Sequence, residues 1–257
     1  MLRVQGLLLI LAMFFSLAAA LVGCLALMKR MLLASDVISH LALPGIGLGL
    51  LLKKSPIAGG AATLFLGTFL VWRLQKKTGL ATESAVGVIF ATALAIGAAL
   101  IPNEDLAESL FGELGKISPV GFLLGMTAVF FVIASIFLLR DQLSLGILSP
   151  DLAAVTGVNV SRLDLRFLLL FSLTVLVGLR FMGALLASAL IIMPAATARQ
   201  LTDKLTSFVL LAAAASVLSV TAGFLLNAFL FKLSTAGPTI TIFSAFLFGA
   251  SLLVRKK

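Results

Sequence analysis

Residues 5–28 read QGLLLILAMFFSLAAALVGCLALM, and Lys29 and Arg30 follow at once. The run is close to the roughly 20 apolar residues that cross a hydrocarbon core as a helix. No small-residue cleavage site precedes the Lys-Arg pair, so a retained span is expected rather than a secretory leader. Comparable runs recur over 37–52, 56–73, 84–101, 119–139, 164–180, 183–198, 206–231 and 239–254, divided by charge clusters, Gly or Pro. The expected fold is an all-α integral membrane protein, a bundle of about eight to nine transmembrane helices occupying 1–257 as a single domain. At Arg180-Phe181-Met182-Gly183 a short external turn and a kink within one helix would read alike.

Composition agrees: of 257 residues, 61% are hydrophobic and 11% charged, with mean hydropathy +1.22. Soluble domains run nearer about half apolar and a quarter charged. The runs lack the alternation of a membrane barrel. Cys24, the single cysteine, excludes an intramolecular disulfide and reads as a small core residue. The net charge of +9 does not mark a nucleic-acid partner, because basic residues stand in ones to threes between apolar runs.

Those residues orient the chain instead. With the amino terminus outside, the inner side collects thirteen, Lys29, Arg30, Arg73, Lys76, Lys77, Arg140, Arg162, Arg166, Arg199, Lys204, Arg255, Lys256 and Lys257. The outer side receives six, Arg3, Lys53, Lys54, Lys116, Arg180 and Lys232.

Two connections exceed a simple turn. Outside, PNEDLAESLFGEL (102–114) is acidic and partly apolar, suited to a solvated loop, a surface-lying segment or a docking site. Inside, LSPDLAAVTGVNVSRLD (148–164) predicts a two-turn helix: Ser149 as N-cap, Pro150 at the first helical position, Asp151 in the first turn and Gly157 at C′. So short a helix is marginal alone and needs a surface to pack on.

Several chemistries are absent. The nearest approach to a phosphate loop, Gly112-Glu113-Leu114-Gly115-Lys116, has the wrong spacing, so the chain is not expected to hydrolyse ATP. Gly45, Gly47 and Gly49 follow no strand and read as small residues for close helix packing. One histidine cannot make HExxH, and no GxSxG occurs.

That histidine, His40, sits in SDVISHLALPGI (35–46), four residues after Asp36. On a helix the two share a face, with roughly 5–6 Å between Cβ atoms. Ionisable groups inside a span are expensive and point by default to an ion or substrate path. The plainer reading is that Asp36 caps the second span and His40 hydrogen-bonds within the bundle. Carboxylate and imidazole suit Zn, Mn or Fe, but two ligands fall short of a tetrahedral set, which a twofold dimer would complete. Pro44-Gly45 allows a broken, pore-lining helix there, or a Pro kink with Gly packing.

Six segments together resemble the metal-ion class of bacterial ABC importer permeases, which carry zinc, manganese or iron: SDVISHLALPG (35–45), ESAVGVIFATALAIG (83–97), DLAESLFGEL (105–114), SPDLAAVTGV (149–158), MGALLASALIIMPAATAR (182–199) and STAGPTITI (234–242). The resemblance spans nearly the full length, and zinc-importing members look most similar. It implies a permease of the bacterial cytoplasmic (inner) membrane with no cofactor bound permanently. Zn2+, or Mn2+ or Fe2+, is the cargo, and ATP is bound by partner subunits. Implied partners are a second copy of the chain, two cytoplasmic ATPase subunits, an extracytoplasmic metal-binding protein and membrane lipid.

Asp36 and His40 match the family's membrane metal pair, and Ser149, Pro150, Asp151, Leu152 and Gly157 match its ATPase-coupling helix. Leu110, Phe111 and Gly112, with the 232–238 turn, become candidates for contact with the binding protein. Ser39, Pro44, Gly45 and Glu83 are candidates for the pathway or its gate, although Glu83 at the inner start of the fourth run also suits a helix amino terminus. The mechanism expected is alternating access in a homodimer. Binding needs a neutral imidazole and an ionised carboxylate, so acidification should weaken uptake. The rival classes are an ATP-independent secondary transporter and a structural membrane subunit.

Overall fold

Backbone polar groups find no water in hydrocarbon, so each apolar run must close its hydrogen bonds internally. The computed structural model, which describes residues 2–100, 119–231 and 236–254, meets this with helices throughout and no strand among the described residues. In order they are α1 (Leu2–Met28), α2 (Ala34–Ser39), a 3-10 turn (His40–Ala42), α3 (Leu43–Leu51), α4 (Pro56–Thr78), α5 (Thr82–Leu100), α6 (Pro119–Leu148), α7 (Pro150–Val155), α8 (Val160–Met182), α9 (Ala184–Leu201), α10 (Leu205–Leu226), a π turn (Asn227–Phe231) and α11 (Gly237–Val254). Among the described residues nine segments are long and apolar enough to span, with α2, the turn and α3 together making one.

Local chemistry sets the boundaries. The Ser55 hydroxyl accepts from the Ala58 N–H and Pro56 follows, starting α4; Gly79 ends it at φ 71°, a left-handed conformation that side chains resist. The Asn159 side chain accepts from the Arg162 N–H at 3.0 Å and starts α8. α6 runs to Leu148, nine residues beyond the sequence expectation of 139, because no proline intervenes before Pro150 and the single Gly146 is tolerated within the helix.

The ambiguous boundary near Gly183 is a reversal. Gly183 at φ 81° ends α8 and starts α9, and a Cβ on Gly178 would overlap the Ala187 side chain. In one kinked helix those residues would lie about 13 Å apart along the axis.

α1, the α2–α3 span, α8 and α9 bury the larger part of their apolar windows, whereas the other spans bury a third or less. The central group therefore forms the core, with Phe15, Ile38, Phe167, Phe171 and Leu190 fully enclosed. Cys24 is buried with Ala20, Ala195 and Ala198, the small core residue expected. Exposed Leu123, Leu124, Phe131, Phe137 and Leu138 on α6 suit lipid.

Contacts between helix ends agree with the charge-derived topology. Lys29 after α1, Trp72 near the end of α4 and Ser161 and Asp164 at the start of α8 meet at one end. Gln75 of α4 and Thr82 of α5 meet at 2.5 Å, also at an α4 end that the charge count places inside.

Within the bundle the Thr68 hydroxyl donates to the Leu64 carbonyl at 2.8 Å, leaving its oxygen to accept from Ser172 on α8 at 2.6 Å. Interhelical hydrogen bonds in membrane proteins average about 0.6 kcal/mol and reach roughly 1.7. Thr68→Val is expected to cost within that range, and adding Ser172→Ala should cost little more. Thermal unfolding of the single and double variants reads this directly, and additive losses would mean the two hydroxyls are not coupled.

Candidate functional site

The helix carrying Asp36 is built without an N-cap side chain. Leu33 occupies that position and makes no side-chain capping bond, so Asp36 lies in the first turn and is not the cap, contrary to the plainer sequence reading. Its side chain is exposed and has no hydrogen-bond or ion-pair partner among the described residues. Ser39 is buried and turns its hydroxyl back to the Asp36 backbone carbonyl at 2.6 Å, which steadies α2.

His40 opens the 3-10 turn. Pro44 has no N–H to give the His40 carbonyl, and the Leu43 N–H takes its place, tightening the backbone there. The irregularity thus falls at His40–Ala42, before Pro44, which stands in the first turn of α3 and does not break it. At Pro44-Gly45 the sequence allows a broken helix or a kink with Gly packing; the break lies one turn earlier, on the histidine itself.

The imidazole lies against Phe90 of α5, ring centroids 5.7 Å apart, and its Nδ1 is buried without a hydrogen-bond partner. A buried polar atom left unpaired needs an explanation such as a ligand. The reading of His40 as satisfied within the bundle therefore fails at Nδ1.

Gly45 has a structural role. A Cβ there would overlap the Gly59 carbonyl oxygen of α4, and a Cβ on Gly59 would overlap that of Gly45, so α3 and α4 cross backbone to backbone. Thr63 of α4 reaches the Ala42 carbonyl at 3.4 Å, beside the turn. Glu83 is exposed in the first turn of α5, where a carboxylate complements the helix dipole.

Among the described residues no cluster of three or more His, Cys, Asp or Glu side chains could hold a metal. Asp36 and His40 stand four residues apart on one interrupted span, the carboxylate exposed and the imidazole partly buried.

The inner segment forms the short helix expected. The Ser149 side chain makes no capping bond, a correction; its carbonyl accepts from the Ala153 N–H at 3.1 Å instead. Pro150 and Asp151 occupy the first turn. Gly157 has φ 82°, its N–H bonds to the Ala154 carbonyl and that of Val158 to the Ala153 carbonyl, a Schellman ending. Ala153 is buried, while Leu152 and Val155 are 58% and 85% exposed, an uncovered apolar face at the end of the bundle that the charge count places inside. Leu110, Phe111 and Gly112 lie outside the described residues, as does most of the 232–238 turn.

Sequence reading missed Phe90, one apolar residue among many on α5, and the ion pair of Lys29 with Asp164. Only the lone acidic residue inside the eighth helix's first turns hinted at the latter.

The ABC 3 transport family model matches residues 4–255. Over 248 residues the chain is 33% identical to the high-affinity zinc uptake system membrane protein ZnuB of Haemophilus influenzae, covering 94% of each. It is 30% identical over 217 residues to the manganese transport system membrane protein MntC of Halalkalibacterium halodurans, covering 82% of this chain and 74% of that one. Among solved structures, PsaBC from Streptococcus pneumoniae in complex with Fab superposes with a TM-score of 0.80 at 24% identity, covering 97% of this chain and 91% of that one.

Proposed function

The chain belongs to the ABC 3 transport family, and on that premise we propose that it passes zinc between two copies of itself, Asp36 and His40 of each copy holding the ion in transit. The coarser statement stands apart from the choice of ion: this is a multi-pass inner-membrane permease of a metal-importing ABC system.

One observation carries the site. An unpartnered carboxylate and a buried imidazole nitrogen without a partner stand four residues apart, where the central span loses regular helix. Two copies supply the four ligands that a tetrahedral ion takes, and a set shared across an interface releases its ion when the copies move. Imidazole with carboxylate suits a borderline ion, and the zinc relative named above is the more similar of the two.

α7 is the natural contact for the ATPase subunits. Its exposed Leu152 and Val155 need a cover, and its Schellman ending hands any movement directly to α8. A delivering metal-binding protein acts from the outer side.

ATPase activity of the permease reconstituted with its partners, measured with zinc, manganese and ferrous iron, tests the cargo. Zinc should stimulate most; stronger stimulation by manganese would reassign the ion. In the same assay Gly157→Val should lower metal-stimulated turnover. A branched residue held left-handed costs on the order of 1–2 kcal/mol, about tenfold in the population of the native turn. Unchanged stimulation would remove the coupling role from α7.

A further inference from the structure

Lys29 and Asp164 form an ion pair between helices far apart in sequence. The other ion pairs among the described residues are local and more exposed, Arg140 with Asp141 and Arg199 with Asp203. The Lys29 side chain is 16% exposed and that of Asp164 37%, and the Lys29 ammonium also lies 5.2 Å from the Phe167 ring centroid. A lysine serving only to orient the membrane needs neither an anionic partner nor an aromatic face.

Its position is what matters. On one side, Asp164 stands in the second turn of α8, and hydrogen bonds connect it without slack to α7: the Ala153 carbonyl takes the Val158 N–H, and Asn159 caps the next helix. Trp72 of α4 donates to the Ser161 carbonyl at 2.7 Å and grips the turn before Asp164.

On the other side, Lys29 closes α1. The Arg30 N–H bonds to the Leu27 carbonyl and the Met31 N–H to that of Ala26, with Arg30 left-handed at φ 58°. Met31 is buried, and the Ala34 and Ser35 N–H groups bond back to the Met31 and Leu32 carbonyls, leading straight into the helix of Asp36. Between Lys29 and that helix only the Leu32 and Leu33 N–H groups make no backbone hydrogen bond, and their carbonyls accept from Ser35 and Val37.

We propose that the Lys29–Asp164 pair is the mechanical link by which displacement of α7 at the inner face reaches the span bearing Asp36 and His40. Both are positioning residues, and the proposal rests on the transport reading given above. A charge pair at a partly exposed helix junction can part and re-form as the bundle switches, whereas the apolar core around it is close-packed.

The test compares zinc uptake per ATP hydrolysed in the complex reconstituted with its ATPase subunits and metal-binding protein. Lys29→Met and Asp164→Asn should each keep ATP hydrolysis yet lower that ratio by about tenfold, inside the 5–150-fold span of site-to-site coupling. The charge-exchanged pair Lys29→Asp with Asp164→Lys should recover most of it. Should either single variant assemble poorly, Lys29→Met with Asp164→Asn removes both charges together, leaves none unpaired and should show the same fall. A wild-type ratio in the single variants or in the doubly neutral one overturns the link, as does an exchanged pair no better than the singles. Absence of zinc uptake by the unmodified complex would instead count against the transport reading itself.

Discussion

His40→Ala and Asp36→Ala are each expected to abolish metal uptake while leaving the permease inserted and assembled, if the proposed site holds the ion. The expected loss exceeds tenfold to a hundredfold, since groups that merely orient a ligand are worth about that much, and a direct ligand carries more. Neither side chain supports the fold: Asp36 is exposed without a partner, and His40 contributes one tilted ring contact with Phe90. Loss of function without loss of protein is therefore the signature. Radioactive zinc and manganese uptake into cells or proteoliposomes, normalised to assembled complex, measures it, and wild-type uptake in both variants would end the metal-site reading. His40→Ala also removes the unpaired Nδ1, so unfolding stability should hold steady or rise while transport vanishes.

Gly45→Val is expected to act the opposite way, through the fold first. The Gly59 carbonyl already occupies the space a Cβ needs, and backbone has no rotamer through which to yield. Overpacking typically costs 1–3 kcal/mol, and a backbone clash belongs at the upper end, at least about 3 kcal/mol. Against the usual 5–15 kcal/mol of total stability the variant should accumulate poorly and unfold at lower temperature. Gly45→Ala should give the milder version of the same defect. Normal levels and melting for Gly45→Val would mean that α3 and α4 do not cross at Gly45 and Gly59. The crossing also sets how the His40–Ala42 turn sits against α4, where Thr63 meets the Ala42 carbonyl.

Asp36 and His40 stand out in the sequence because ionisable groups are rare in apolar spans. Gly157 was legible because its left-handed turn favours a residue without a side chain. Ser149 misled, since an N-cap preference describes an average and the bond was made by its carbonyl alone. Pro44 misled by one turn: proline disturbs the backbone on its amino-terminal side, where its missing N–H leaves the His40 carbonyl to find another donor.

Spans and class followed from the sequence by itself, because hydrocarbon imposes its length and polarity on every stretch that crosses it, one residue after another. Whether Gly183 reverses the chain, which spans enclose the core, that the His40 nitrogen is left unpaired and that Lys29 meets Asp164 were decided only in three dimensions. Each of these depends on which surfaces face one another. In a chain that is apolar nearly everywhere, hydrophobic pattern alone does not distinguish a neighbouring helix from lipid.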